Sequence, residues 1–486
     1  MRLERTLSYV AALLVVTPTL IAPNASATEL RELAGLQYEK QRDSWIHKAP
    51  DGQVFAVNSR VITVKFADGT RLDDQKALLR SLGGYELRRA VTGYVDVEIA
   101  YRQDVFAAID TYLDHAEIVS AEPNTFGTYT LMPNDPIYGS QWYPPIVQAD
   151  LAWDTTGGNP SAVIAVLDSG TEFTHEDLGF GPDGYQNVWL NDGEDAWSDP
   201  DDPSTGDGID NDGNGYVDDW KGYDFNNNNN DGSGTNFHGT AVAGVAAAKT
   251  NNGLGITGIA GGVNGPGARV MIAGVGDGGP NGAILDDAIL YAVDNGADVV
   301  QLSLSVGQTS AINAAIQTAI DAGLAIVCSS GNGGAPVLSY PASNPNVISA
   351  GATTSSDQRS GFSQHGPDLD LSAPGSNIFT LDLNDTYDFT SGTSFSSPLI
   401  SGVIALMLSV NPNLTPAEIR QILHDTADKV GGYDYNYDPD KPGHSFELGY
   451  GRVNALRAIG AANSGSLFAD SFESGDTAAW PGEDKR

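Results

Sequence analysis

Three short segments carry side chains able to do covalent chemistry. The apolar run Val163-Ile-Ala-Val-Leu167 stops at Asp168-Ser169-Gly170. That puts a carboxylate at the end of a segment that reads as a buried parallel strand, where α/β sheets build their sites. About seventy residues on, Asn236-Phe237-His238-Gly239-Thr240 opens a run of small residues, Ala241 to Ala248, read as a tightly packing helix with an imidazole at its start. Gly392-Thr393-Ser394-Phe395-Ser396-Ser397-Pro398 precedes the apolar stretch Leu399 to Leu408. A serine at a glycine-introduced helix N-terminus has a backbone N–H free to stabilise an oxyanion. A serine hydroxyl is a weak nucleophile near neutral pH and needs a base, and an imidazole base needs a carboxylate to fix its tautomer and stabilise its cation. The chain offers one of each, the set required for acyl transfer.

These residues need elements to hold them. The chain has 486 residues, 41% hydrophobic, with 25 Lys+Arg against 62 Asp+Glu for a net charge of -37. This predicts an acidic folded protein and argues against wholesale disorder and nucleic-acid binding. Val163–Leu167, Val270–Val275, Val299–Leu304, Ala325–Cys328 and Val347–Ala350 read as strands buried on both faces, alternating with helices that include Ala283–Asn295 and Ile312–Ala322. The fold class that follows is α/β, a mostly parallel central sheet with helices on both faces. Thr415-Pro416-Ala417-Glu418 is a capping box with proline at the first helical position. Ahead of this region, residues 57–129 read as a small α+β domain, with strands at 61–66, 85–91 and 94–99 and helices at 73–82 and 103–115. Residues 28–130 hold 12 of the 25 basic residues, leaving 11 basic against 45 acidic in 131–486. Met132 to Ser140, polar with proline and glycine, marks the boundary.

At the N-terminus, Arg2 and Arg5, the apolar stretch Val10 to Ile21 and Ala25-Ser26-Ala27 make residues 1–27 a secretory signal peptide. The apolar run is too short to cross a hydrocarbon layer of ~30 Å and Pro18 interrupts it. The mature protein is expected to be secreted, extracellular or periplasmic, with no membrane anchor. Cys328 is the single cysteine, so no intramolecular disulfide forms; it reads as a buried small apolar residue. Gly274-Val-Gly276-Asp-Gly-Gly279 formally satisfies a nucleotide-binding glycine pattern, a weak signal in a glycine-rich chain.

The order Asp, His, Ser, with His-Gly-Thr and Gly-Thr-Ser-x-Ser-Ser-Pro, resembles the subtilisin-like serine peptidases over residues 134–462. The resemblance implies a secreted serine endopeptidase acting on proteins or peptides through an acyl-enzyme. Asp168 would orient, His238 act as general base and then acid, and Ser394 attack the peptide carbonyl. Asn332, in Cys328-Ser-Ser-Gly331-Asn332-Gly333, matches the family's oxyanion asparagine. The related sedolisins would show Glu in place of His238 and Asp in place of Asn332. Ser303-Leu304-Ser305 and Ser329-Ser330-Gly331 match the backbone segments that flank the P1 pocket, Ser305 replacing the family's usual glycine. Ser339 matches the pocket floor, and its small size implies room for a large apolar or aromatic P1 side chain.

Calcium is the expected cofactor, from two sources. Residues 191–232 hold 13 Asp/Glu and one Lys, in an insertion that doubles the family's usual interval between Asp and His. Within it Asp210, Asp212, Asn214, Tyr216 and Asp218 stand at positions 1, 3, 5, 7 and 9 of an EF-hand-type loop, with Gly215 at 6. Position 12 is Lys221 instead of glutamate, leaving Asp219 or Asp224 to close the shell. By resemblance, Asp177 and the loop Thr250, Asn252, Leu254 and Ile256 match the family's strong calcium site, with Gln141 a weaker ligand.

Residues 57–129 resemble the propeptide domain of subtilisin-like precursors, an intramolecular inhibitor, and the propeptide as a whole is expected to span 28–130 and to be cut away autocatalytically between about Asn124 and Asn134. Its basic residues facing an acidic catalytic part supply an electrostatic rationale for docking. Residues 131–462 form the catalytic domain, expected to be monomeric, and 463–486 a polar tail. The competing reading is a calcium-binding surface or adhesion protein on a degenerate peptidase scaffold, against which an intact Asp168, His238, Ser394 and Asn332 set argues.

Overall fold

The chain divides into two units, residues 1–128 and 129–486. The computed structural model describes residues 30–33, 36–41, 44–48, 54–90, 92–100, 103–125, 132–178, 186–263 and 265–463. The signal peptide expected at 1–27 and the tail beyond 463 lie outside the described residues.

The first unit is an antiparallel sheet carrying two helices. It runs β1 (Leu30–Leu33), β2 (Leu36–Gln41), β3 (Ser44–Lys48), β4 (Val54–Phe66), α1 (Leu72–Ser81), β5 (Tyr85–Arg89), β6 (Tyr94–Glu98), α2 (Val105–Leu113) and β7 (Ile118–Thr125). The strand order is β1-β2-β3-β4-β6-β5, with β7 also pairing β4. The three strands and two helices expected from sequence are present, with their ends moved by a few residues. The sheet, however, begins at Leu30 and not near residue 57. Strands β1 to β3 are rich in charged and polar residues and carry little alternation. Their anchors are Tyr38 and Trp45, which pack on Phe106 of α2 with ring centroids 5.1 and 4.5 Å away. Asp104 caps α2 by accepting from the Phe106 and Ala107 amides, and it also accepts from Trp45 Nε1 at 3.1 Å, which ties β3 to the helix.

In the second unit, two one-turn helices, α3 (Tyr143–Ile146) and α4 (Ala149–Ala152), precede β8 (Val163–Asp168). Then come β9 (Tyr223–Asp224), α5 (Phe237–Ala247), β10 (Arg269–Gly274), α6 (Leu285–Asp294), β11 (Val299–Leu302), α7 (Ser310–Asp321), β12 (Ala325–Ser329), β13 (Ile348–Thr353) and β14 (Leu371–Pro374). The hairpin β15 (Ile378–Asp382) and β16 (Thr386–Thr390) leads into α8 (Thr393–Val410), followed by α9 (Pro416–Thr426) and α10 (Ala455–Asn463). The main sheet is parallel throughout, in the order β14-β13-β12-β11-β8-β10-β9.

Every residue of β8 is buried, which in a strand with alternating side chains requires cover on both faces. Ile164 and Val166 join the core that includes α5, α8 and α10; Val163, Ala165 and Leu167 join the core that includes α6 and α7. Helix α8 is 18 residues long and apolar, and nearly all of it is buried in the first of these cores. Because the chain places β10 on one side of β8 and β11 on the other, the carboxyl ends of β8 and β11 flank the point where strand order reverses. Parallel sheets place their ligands there.

Candidate active site

Asp168 is the last residue of β8 and His238 lies in the first turn of α5. The approach of helix to strand depends on Gly239: a Cβ there would fall 2.0 Å from the Gly170 carbonyl oxygen. Ser169 Oγ reinforces the contact, accepting from the Gly239 amide at 3.0 Å and donating to the Asn236 carbonyl at 3.2 Å. Asn236 caps α5 through the His238 amide. Asp277, from the glycine-rich segment after β10, accepts from the Thr235 and Asn236 amides at 2.9 and 2.6 Å, so that segment braces the entry to α5. The result is an Asp168 Oδ1 to His238 Nδ1 contact of 2.6 Å, in which Nδ1 carries the proton toward the carboxylate. Burial alone would depress the imidazole, but the charge and hydrogen bond of Asp168 outweigh it and hold His238 above its ordinary pKa.

Ser394 lies in the first turn of α8, where backbone amides have no intrahelical acceptor. Its neighbour Phe395 packs near the His238 ring, with centroids 5.8 Å apart, so the head of α8 and the head of α5 meet. Asn332 follows β12 and is exposed. Its Oδ1 accepts from the Thr393 amide and from Thr393 Oγ1, both at 2.9 Å, which leaves Nδ2 as a donor on the side of Gly392 and Ser394.

Pro398, inside α8, explains a feature that sequence reasoning missed. Proline has no N–H, so the Ser394 carbonyl four residues earlier lacks its helical partner. Ser303 Oγ, just beyond β11, donates to that carbonyl at 2.6 Å. Gln301 Nε2 then bonds Ser303 Oγ and Ser397 Oγ, each at 2.8 Å, and Ser401 Oγ donates to Gln301 Oε1 at 2.7 Å. All four side chains are buried. A polar residue in a strand with an otherwise apolar pattern, opposite a serine-rich helix, was the available signal.

Ser303, Leu304 and Ser305 leave the sheet beside Ser330 and Gly331, because β11 and β12 are paired up to Leu302 and Cys328. Ser303, Leu304, Ser329 and Ser330 are buried, whereas Ser305 is exposed. Ser339 Oγ sits under Gly331, and both face Gln364, which the sequence did not single out: Ser339 Oγ donates to Gln364 Oε1 at 3.1 Å. A Cβ at Gly331 (φ +113°) would strike that oxygen at 2.0 Å. Cys328 is buried at the end of β12, and burial pushes its thiol up to about 12, which fits a packing role.

Of the expected metal ligands, Asp177 is fully buried and accepts from Asn252 Nδ2 at 2.9 Å and the Ile256 amide at 2.8 Å, so the 250–256 loop does wrap this carboxylate. Burial pushes its carboxyl up to about 8 despite those bonds. Each of its carboxylate oxygens is met by an N–H donor of this loop, and no cationic side chain is paired with it among the described residues, so a buried acid is left for a hard cation to neutralise. Gln141 is directed elsewhere, its amide engaged by Thr257 and Tyr143. In the insertion, Asp210 holds the amides of Gly213, Asn214 and Gly215, Asp212 that of Asn214, Asn214 that of Tyr216, and Asp218 that of Gly208. Lys221, at position 12, is turned away: it is buried, its Nζ lies over the rings of Phe173, Trp197 and Trp220, and it donates to the Pro200 carbonyl. The carboxylates that converge are Asp212, Asp219 and Glu194, the last of which the sequence pattern omitted.

A parallel sheet with an Asp–His pair at its switch point and a serine-headed core helix beside them defines a subtilisin-like α/β serine hydrolase. A model of the subtilase family matches residues 159–451, and the chain belongs to that family of serine peptidases. It is 34% identical over 360 residues to the thermophilic serine proteinase of Bacillus sp. (strain AK1), covering 73% of this chain and 76% of that one. It is 35% identical over 354 residues to the halolysin-like extracellular serine protease Nep of Natrialba magadii, covering 71% of this chain and 56% of that longer relative. The extracellular protease of Xanthomonas campestris pv. campestris is 31% identical over 490 residues, covering 93% of this chain and 78% of its own length.

Proposed function

We propose that this chain is a secreted endopeptidase, made as a self-processing precursor and stabilised by calcium. The 2.6 Å Asp168–His238 contact beside the head of α8 carries the reading. Ser394 Oγ attacks the scissile carbonyl carbon while His238 Nε2 takes its proton, and Asp168 stabilises the imidazolium. The tetrahedral oxyanion accepts from the Ser394 amide and Asn332 Nδ2. Collapse breaks the C–N bond, His238 returns the proton to the leaving amine, and an ester on Ser394 remains. Water, deprotonated by the same imidazole, hydrolyses that ester to the acid and regenerates the hydroxyl. The backbone after Ser303 and Ser330 would align the substrate strand, with Ser305, Ser339 and Gln364 shaping the P1 pocket. Asp177 and Asn252, with the carbonyls of Thr250, Leu254 and Ile256, would hold a structural calcium ion. Residues 28–130 would act as the inhibitory propeptide. Secretion rests on the leader pattern and on relatives named as extracellular.

The test is to express the full chain and its Ser394→Ala form with calcium, follow intact mass and assay casein cleavage. The expected result is that the parent loses about 100 residues beyond the leader and cleaves casein, while Ser394→Ala stays whole and inactive. Two folded, unprocessed and inactive proteins would overturn the reading.

A further inference from the structure

The acidic insertion brings together groups that no part of the catalytic argument uses. One oxygen each from Glu194, Asp212 and Asp219 lies within 4.8 Å of the other two. Asp219 is fully buried and Glu194 is only 6% exposed. Among the described residues, none of these carboxylates is paired with a lysine, arginine or histidine. Their partners are neutral. Asn191 Nδ2 bridges Asp212 and Asp219 at 2.9 and 3.1 Å, and Asn214 Nδ2 does the same at 3.0 and 3.1 Å. Tyr291, from α6, donates to Asp219 Oδ2 at 2.6 Å. Glu194 Oε1 accepts from the Asn211 and Asp212 amides at 2.8 and 3.2 Å. Its other oxygen, Oε2, is buried and has no hydrogen-bond partner.

A buried carboxylate oxygen without a donor, beside two further carboxylates, is costly unless a cation meets it. Lys221, the one lysine of the insertion, is held elsewhere by its aromatic rings. We infer that Glu194, Asp212 and Asp219 bind a hard divalent cation, calcium, at a site separate from the Asp177 loop. The ligand set is all-oxygen and anionic, as calcium requires. Because Asp219 is bonded to Tyr291, the ion would fasten the 191–232 insertion to α6.

The experiment uses the full-length Ser394→Ala chain, so that self-digestion plays no part, and reads metal binding, so that its outcome does not depend on peptidase activity. Calcium bound per chain is counted after dialysis, and terbium(III) alone is titrated with excitation of tyrosine, Tyr291 being the sensitiser. Glu194→Gln is expected to lose one bound ion per chain and most of the terbium emission that Tyr291→Phe also removes, while Asp177→Asn loses a different ion and leaves that emission in place. In chelator, Glu194→Gln is expected to melt at or above the parent, since it removes buried repulsion; in millimolar calcium it melts below. Asp212→Asn, at an exposed position, provides a second variant should Glu194→Gln fold poorly. An unchanged ion count in the folded variants overturns the proposal, as does a melting temperature lowered equally with and without calcium.

Discussion

His238 sits between two opposed influences, and their balance sets a measurable pH dependence. Burial disfavours the imidazolium, the Asp168 carboxylate favours it, and the net effect raises the pKa above the ordinary 6.5. The general base must be neutral, so kcat/KM is expected to rise with pH through an inflection above 6.5. Stability runs the other way. A group whose folded pKa is raised contributes stability below its unfolded value, and this is lost as pH climbs through the folded one. The Ser394→Ala chain should therefore melt at a lower temperature as pH rises through the window in which the active enzyme gains rate. Asp168→Asn removes both the charge and the tautomer control, moving the inflection down and cutting turnover by about 10⁴. A pH–rate profile on parent and variant checks this, and an inflection unmoved by Asp168→Asn would contradict it. At this scale the sequence was most informative, because Asp168, His238, Ser394 and Asn332 each sit in a local motif. Gln364, Gln301 and Glu194 were not legible. Each is an unremarkable polar letter whose partners, Ser339, Ser397 and Asp219, lie 25 to 96 residues away and are brought to it only by folding.

At the scale of elements, the nucleophile helix is held by a bond that proline created a need for. Pro398 leaves the Ser394 carbonyl without a helical donor in a buried position, and Ser303 Oγ supplies one. Ser303→Ala would orphan that carbonyl and also break the link to Gln301. A cost of about 1–3 kcal/mol is expected from the unpaired acceptor, read as a lower midpoint in urea with unchanged slope. Because the carbonyl belongs to Ser394 itself, kcat should fall while KM moves little. A variant as stable and active as the parent would remove the network from the account. The same scale shows what sequence patterns carry. Strands β8 and β10 to β13 were visible as continuous apolar runs because they are covered on both faces. The hairpin β15–β16 was not, since β16 is largely exposed and reads as polar loop. That hairpin nonetheless binds the Asp177 region: Tyr387 Oη donates to Glu176 at 3.0 Å, the Glu176 amide to Asp385 at 2.8 Å and the Asn384 amide to Glu172 at 2.8 Å. It ends at Thr390, just ahead of α8, and so connects the proposed calcium loop to the nucleophile helix through backbone that sequence periodicity did not mark.

For the whole molecule the dominant quantity is charge. Residues 131–486 carry 11 basic against 45 acidic residues, and the chain as a whole is at -37. A net charge this far from zero repels itself and destabilises the compact state, most strongly where ions are scarce. Added salt has two opposite effects, weakening attractive ion pairs and screening the repulsion. Among the described residues of this unit, the attractive pairs are mostly shielded from solvent. Arg452 is fully buried between Asp357 and Asp428, Arg457 also reaches Asp428, and Arg420 meets Asp370 at 3.0 Å; Lys441–Asp368, at 3.6 Å, is the more exposed pair. Buried pairs are screened little, whereas the surface repulsion falls as the Debye length shrinks from about 30 Å at 0.01 M to about 3 Å at 1 M. Screening of repulsion therefore wins. The melting temperature of the Ser394→Ala chain, at fixed saturating calcium, is expected to climb with sodium chloride over that range and to level off as the Debye length falls below the spacing of surface charges. A melting temperature that is flat or falls over the same titration would mean that the acidic surface is already neutralised by bound cations, and that the insertion holds more of them than the Glu194 site alone.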